Sequence, residues 1–219
     1  MKPAIGLIFD MDGVIVNNNQ YHYMAWKHIC EKYNKPINDK IYREKMNGRT
    51  LKALVQFIFE EEKSLEEILA IGQEKEAMYR SLYQPYLSPA EGIFPLLSAA
   101  FDEGIPMVVG TSAPKENVNF IMDGLGIGHY FNAILDDRSV TKGKPDPEIY
   151  IKCAAAAGLP NSNCVVFEDA VSGLQAGKAA GSKTIGVATS HARKELSADL
   201  IIDGFNEISL KQIKELISK

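Results

Sequence analysis

Two aspartates two residues apart, Asp10 and Asp12, close the first apolar run of the chain and are followed at once by Gly13. A second acidic pair, Glu168 and Asp169, closes another apolar run much further along, and Thr111 stands just after a third. Acidic groups gathered in one place repel one another unless a cation sits among them. Oxygen ligands that leave room for water and phosphate suit Mg²⁺. Each signal is weak alone. Asp-x-Asp-Gly also matches solvated turns and calcium loops, and a threonine at a strand end is usually a cap. Lys144 before Pro145 reads as a surface lysine, and Glu-Asp before a helix is often only N-terminal charge.

The elements that must position these residues raise the specificity. The runs from Ala4 to Phe9, Pro106 to Val109, Cys164 to Phe167 and Thr184 to Ala188 are too short for long helices, and several are β-branched, so they predict buried strands. Ala133 to Leu135 before Asp136 is a fifth candidate. Helical patterns lie between them, from Glu91 to Glu103, Pro147 to Ala157 and Val171 to Ala180, each followed by a glycine able to stop a helix. This alternation predicts a parallel α/β sheet. Ligands of such sheets sit beyond the carboxyl ends of the strands. Asp10, Thr111 and the Glu168–Asp169 pair should therefore converge at one edge.

The stretch from Val16 to Tyr86 reads differently. Tyr21, Ala25, Ile29 and Tyr33 recur every four residues, and Leu51, Leu54, Val55, Ile58 and Phe59 form a second apolar helix face. Ser64-Leu65-Glu66-Glu67 is a capping-box pattern, followed by Ile68, Leu69, Met78, Tyr79 and Leu82. The expected organisation is an α/β fold in which a Rossmann-like parallel-sheet core, residues 1–15 and 87–219, carries an inserted all-helical cap domain, residues 16–86.

Bulk properties exclude several classes. A net charge of −4 without a polybasic run argues against nucleic-acid binding. The N-terminal apolar run is too short for a signal peptide or membrane span, so a cytoplasmic protein without membrane partners is expected. A monomer is the expected state. Cys30, Cys153 and Cys164 are odd in number and widely spaced, which predicts buried free thiols.

Four motifs occur in order: Phe9-Asp10-Met11-Asp12-Gly13-Val14, Val109-Gly110-Thr111-Ser112, Lys142-Gly143-Lys144-Pro145-Asp146-Pro147, and Val166-Phe167-Glu168-Asp169-Ala170 with Gly173 after it. Together they resemble the haloacid dehalogenase superfamily over nearly the whole chain. The resemblance implies Asp10 as nucleophile and Asp12 as general acid/base. It implies Thr111 as the hydroxyl that holds a phosphoryl oxygen, and Lys144 as the cation that orients Asp10. Mg²⁺ would be held by Asp10, the backbone carbonyl of Asp12, Asp169 and Glu168. Asp12 argues against a dehalogenase, a branch that generally lacks the second aspartate and the metal.

Within the superfamily the cap resembles β-phosphoglucomutase and related phosphatases. Tyr21-His22 with Ala25-Trp26 is similar to the first cap helix, where His22 matches a hinge histidine. His28, His129 and His191 read as surface or packing residues. The mutase cap loop carries a lysine before its glycine and an arginine three residues after it. Here the stretch is Met46-Asn47-Gly48-Arg49-Thr50-Leu51, so Asn47 and Leu51 stand at those places and Arg49 directly follows Gly48. A sugar bisphosphate needs a cationic clamp for its distal phosphate. The weakened clamp favours a phosphatase of small phosphorylated metabolites, sugar phosphates among them, over a β-phosphoglucomutase-type mutase. His22, Asn47, Gly48, Arg49, Ser112, Lys115 and Asn117 are the substrate-binding candidates. A non-catalytic relative that kept the fold is the third class.

Overall fold

The computed structural model describes residues 5–46 and 50–218. They divide into two compact units, Met1–Asn17 with Leu87–Lys219, and Asn18–Tyr86. The first unit holds a six-stranded sheet of β1 (Gly6–Phe9), β2 (Met107–Gly110), β3 (Ala133–Leu135), β4 (Cys164–Glu168), β5 (Lys183–Val187) and β6 (Leu200–Ile202). Every neighbouring pair is parallel, in the order β3-β2-β1-β4-β5-β6. β1, β2 and β4 are buried along their whole length, as continuous apolar runs in a sheet covered on both faces must be. β6 has a mixed exposure pattern and no long apolar run, so periodicity did not reveal it.

In the second unit lie α1 (Asn19–Lys32), α2 (Asp39–Ile41), α3 (Leu51–Phe59) and α4 (Leu65–Tyr83). The Ser64–Glu67 capping box starts α4 in both directions, with Ser64 N donating to Glu67 Oε2 at 2.8 Å and Glu67 N donating to Ser64 Oγ at 3.2 Å. Two expected apolar positions face outward. Leu69 is 50% exposed, because the buried stripe of α4 runs through Ile68, Ile71, Gly72, Lys75, Tyr79 and Tyr83, and Leu69 falls beside it. Tyr33 is 36% exposed because it caps the end of α1, where the stripe has run out.

The first unit also holds α5 (Ile93–Asp102), α6 (Lys115–Leu125), α7 (Glu148–Ala156), α8 (Val171–Ala179) and α9 (Leu210–Ile217). α7 packs on β1, β2 and β3, and α8 on β4 and β5. One apolar core gathers Ile8, Val108, Tyr150, Cys153 and Val166. Cys30, Cys153 and Cys164 are all buried and free. No helix among the described residues is long and apolar enough to cross a membrane.

Candidate active site

Strand register brings the acidic residues level. Phe9 pairs with Val109 on one side and with Phe167 on the other, so Asp10, just past the end of β1, stands level with Gly110 and Glu168, the last residues of β2 and β4. The Asp10 amide donates to Phe167 O at 3.0 Å and closes the β1–β4 ladder beneath the site. After Asp12 the chain turns back through Gly13, whose φ of 76° favours a residue without a β-carbon. Gly13 N donates to Val16 O at 2.7 Å, and Thr189 Oγ1 donates to Gly13 O at 2.6 Å.

Lys144 reaches this edge from the loop before α7. Its ammonium donates to Asp10 Oδ1 at 2.8 Å, to Glu168 Oε1 at 2.6 Å and to Gly110 O at 3.3 Å, and its side chain is only 9% exposed. The surface lysine suggested by the sequence pattern alone is therefore one whose ammonium is turned inward. Thr111 is also buried, its hydroxyl accepting from Ala113 N at 3.1 Å. Asp169 accepts from the hydroxyl of Ser190, its backbone carbonyl lies 3.2 Å from His191 Nδ1, and Thr189 Oγ1 stands 3.5 Å from its Oδ2. His191, read from sequence as surface or packing, thus lies against a site residue. The signal was out of reach because 22 positions separate the two.

One ammonium bonds two of the three clustered carboxylates. Burial pushes the Asp10 carboxyl up, Lys144 pulls it down, and Glu168 and Asp169 push it up again, leaving it well above the ordinary 3.8. For Lys144, burial opposes the charged form, but Asp10 and Glu168 outweigh it and hold the ammonium above its ordinary range. The donor set fits a hard divalent cation. One carboxylate oxygen from each of Asp10, Glu168 and Asp169 lies within 4.8 Å of the others, and the excess negative charge is what such an ion would offset. Asp12 is half-buried and stands outside that carboxylate cluster. Its expected contribution to a metal is its backbone carbonyl.

The substrate candidates fall in different places. Ser112 and Lys115 are exposed, and Asn117, in the first turn of α6, is buried. Asn47, Gly48 and Arg49 lie outside the described residues. His22 belongs to the helical unit, where its ring stacks on Tyr79 at 3.9 Å between centroids. Its Nδ1 lies 2.7 Å from the ammonium of Lys75. Lys75 is 5% exposed and also binds Glu76 Oε1 at 2.8 Å. Sequence reading passed over Lys75, since a lysine inside an amphipathic helix ordinarily marks its solvated face.

A family model described as haloacid dehalogenase-like hydrolase matches residues 7–187. Among known proteins, a β-phosphoglucomutase of Bacillus subtilis is 33% identical, covering 95% of this chain and 93% of the relative. A fructose-1-phosphate phosphatase of Escherichia coli is 32% identical, covering 83% of this chain and 95% of the relative. A solved hydrolase of family IA from Entamoeba histolytica superposes with a TM-score of 0.92 at 29% identity, over 98% of this chain and 100% of its own.

Proposed function

The chain belongs to the haloacid dehalogenase-like hydrolase family, and from that premise we propose that it is a Mg²⁺-dependent phosphatase of small phosphorylated metabolites, sugar phosphates among them. The observation that carries this reading is the ammonium of Lys144 shared between Asp10 and Glu168, with Asp169 completing the carboxylate cluster. A carboxylate oxygen of Asp10 attacks phosphorus, the bond from phosphorus to the leaving oxygen breaks, and Asp12 gives that oxygen its proton. Water then attacks the aspartyl-phosphate and loses its proton to Asp12. The phosphorus–Asp10 bond breaks and phosphate leaves. Lys144 and the Thr111 hydroxyl hold the phosphoryl oxygens in line. When bound by Asp10, Asp169, Glu168 and the Asp12 carbonyl, Mg²⁺ supplies positive charge that offsets the phosphoryl oxygens.

Water as acceptor is favoured by Leu51. It occupies the position where the resemblance to mutases calls for an arginine, and it packs so closely on Gly72 of α4 that a β-carbon there would collide with it. That position serves the joining of α3 to α4. A β-phosphoglucomutase-type mutase is the second reading, favoured by the similarity to the Bacillus subtilis mutase. Under either reading the helical unit is the substrate-selecting domain.

A panel of phosphate esters, sugar phosphates and pyrophosphate, assayed for free phosphate, tests the proposal. Release should need Mg²⁺, stop with EDTA, and almost vanish in Asp10→Asn, whose amide cannot act as the nucleophile. Substantial turnover by Asp10→Asn would remove the covalent route. Rapid, bisphosphate-dependent conversion of β-glucose 1-phosphate to glucose 6-phosphate would promote the mutase reading.

A further inference from the structure

Tyr150 is fully buried in the first turn of α7, in the same apolar core as Ile8, Val108 and Val166. A phenylalanine would fill that space, so the hydroxyl is the part that needs an explanation. A buried phenol must find an acceptor. Here the acceptor is Glu168 Oε1, at 2.6 Å. The same oxygen accepts from Lys144 at 2.6 Å, and the Lys144 ammonium stands 5.0 Å from the centre of the Tyr150 ring. The tyrosine therefore touches both members of the Glu168–Lys144 pair, one through its hydroxyl and the other through its face.

Glu168 is held at two further points. Its Oε2 accepts from Ala170 N at 3.1 Å, and a β-carbon at Gly173 would collide with its carboxylate. Without the phenol, one lone pair of Oε1 would face apolar core, and the carboxylate would satisfy it by drawing Lys144 further from Asp10. A second cation could do the same work. It would also add charge that competes with a divalent ion and holds phosphate after release. A neutral donor fixes the anion without that cost.

We propose that Tyr150 is a positioning residue: its hydroxyl pins Glu168 so that Lys144 stays shared with Asp10 and the three carboxylates keep the spacing a divalent cation needs. The proposal rests on the phosphatase reading for its link to turnover, but its effect on the metal site is measurable without substrate.

The test is Tyr150→Phe, which deletes one oxygen and keeps the ring. Mg²⁺ is titrated against the thermal midpoint of the substrate-free protein, and kcat and KM are measured with the best ester of the panel. The Mg²⁺ concentration at half-maximal stabilisation should rise about 10-fold or more, and kcat should fall by a similar factor, with KM within about 3-fold, the scale on which outer partners of metal ligands act. In a Glu168→Gln background, Tyr150→Phe should change the Mg²⁺ titration little, because its target is already altered. An unchanged Mg²⁺ titration with only a lowered midpoint in the metal-free protein would make Tyr150 a packing residue and overturn the proposal. Absence of Mg²⁺ stabilisation in the unmodified chain would overturn it as well. Failure of the unmodified chain to release phosphate from any ester would sink the phosphatase reading alone, since the metal titration still decides the role of Tyr150.

Discussion

Lys144 in the sheet unit and Lys75 in the helical unit are closed to solvent to similar degrees, with side chains 9% and 6% exposed. Their surroundings differ. Lys144 is bonded to two carboxylates, Asp10 and Glu168, both buried, with a third, Asp169, in the same cluster. Lys75 has one carboxylate, Glu76, whose side chain is 24% exposed. Its remaining contacts are the His22 ring nitrogen and the faces of Trp26 and Tyr79, 5.8 and 5.7 Å from the ring centres. The first lysine holds together groups that would otherwise repel. The second sits among aromatic surfaces beside a carboxylate that can reach water. Equal burial therefore conceals unequal energetic roles: a buried cation matters most when its removal strands anions.

The largest separation should come from Lys144→Met. It leaves Asp10 and Glu168 buried without their cation, so stability should fall by about 3–5 kcal/mol, the usual result of removing one partner from a buried pair. Turnover should drop about 10²–10³-fold, as when a donor to developing phosphoryl charge is lost. Urea midpoints in EDTA and kcat with Mg²⁺ measure the two effects. A stability loss below about 1 kcal/mol would place Lys144 with Lys75 and dissolve the contrast.

Lys75→Met is the counterpart. Glu76 already keeps part of its side chain in water, and methionine fills the space between Trp26 and Tyr79, so the expected loss is about 1 kcal/mol. The same urea experiment checks it, and a loss as large as that of Lys144→Met would show that the His22 contact holds far more than its surroundings suggest.

The smallest effect concerns the loop that delivers Lys144. Glu148 Oε2 accepts from Thr141 N at 2.9 Å, Thr141 Oγ1 at 2.8 Å and Lys142 N at 3.0 Å, while Oε1 accepts from Lys152 at 2.6 Å. The bonds from Lys152, Thr141 and Lys142 lower its carboxyl from the ordinary 4.5 to about 2. A depressed folded-state value adds stability above the unfolded value and loses it as pH falls through the folded one. The difference in thermal midpoint between the native chain and Glu148→Gln should be full above 4.5 and close as pH approaches about 2. A difference that stays constant over that range would mean the carboxylate charge contributes nothing to the loop.

The contrast between the lysines also marks what could be read from sequence. Asp10, Thr111, Glu168 and Asp169 were legible because each follows or ends a short apolar run, and a parallel sheet carries all such ends to one edge. The capping box of α4 was legible because its bonds span three residues. Lys75, Tyr150 and His191 were not, since their partners lie 53, 18 and 22 positions away. Periodicity reports which way a side chain faces on its own element and is blind to the chemistry waiting there. β6 and α9 were readable and passed over: Leu200–Ile202 is as long as β3 and likewise runs into an aspartate, and Ser209 with Gln212 forms a capping box like that of α4.

The central place of β1 carries a consequence for synthesis. Gly6 pairs with Cys164, and Leu7 with Met107, so a strand at the middle of the sheet, the first of the six to be made, gains its second neighbour only when the fourth has been made. At a chain growth of about 5–20 residues per second, its second edge waits roughly 8–30 s for β4 to appear. During that interval at least one edge of an apolar strand stays unpaired. The helical unit, a single uninterrupted stretch from Asn18 to Tyr86, carries no such debt to later sequence and can form while the ribosome is still translating the strands that β1 needs.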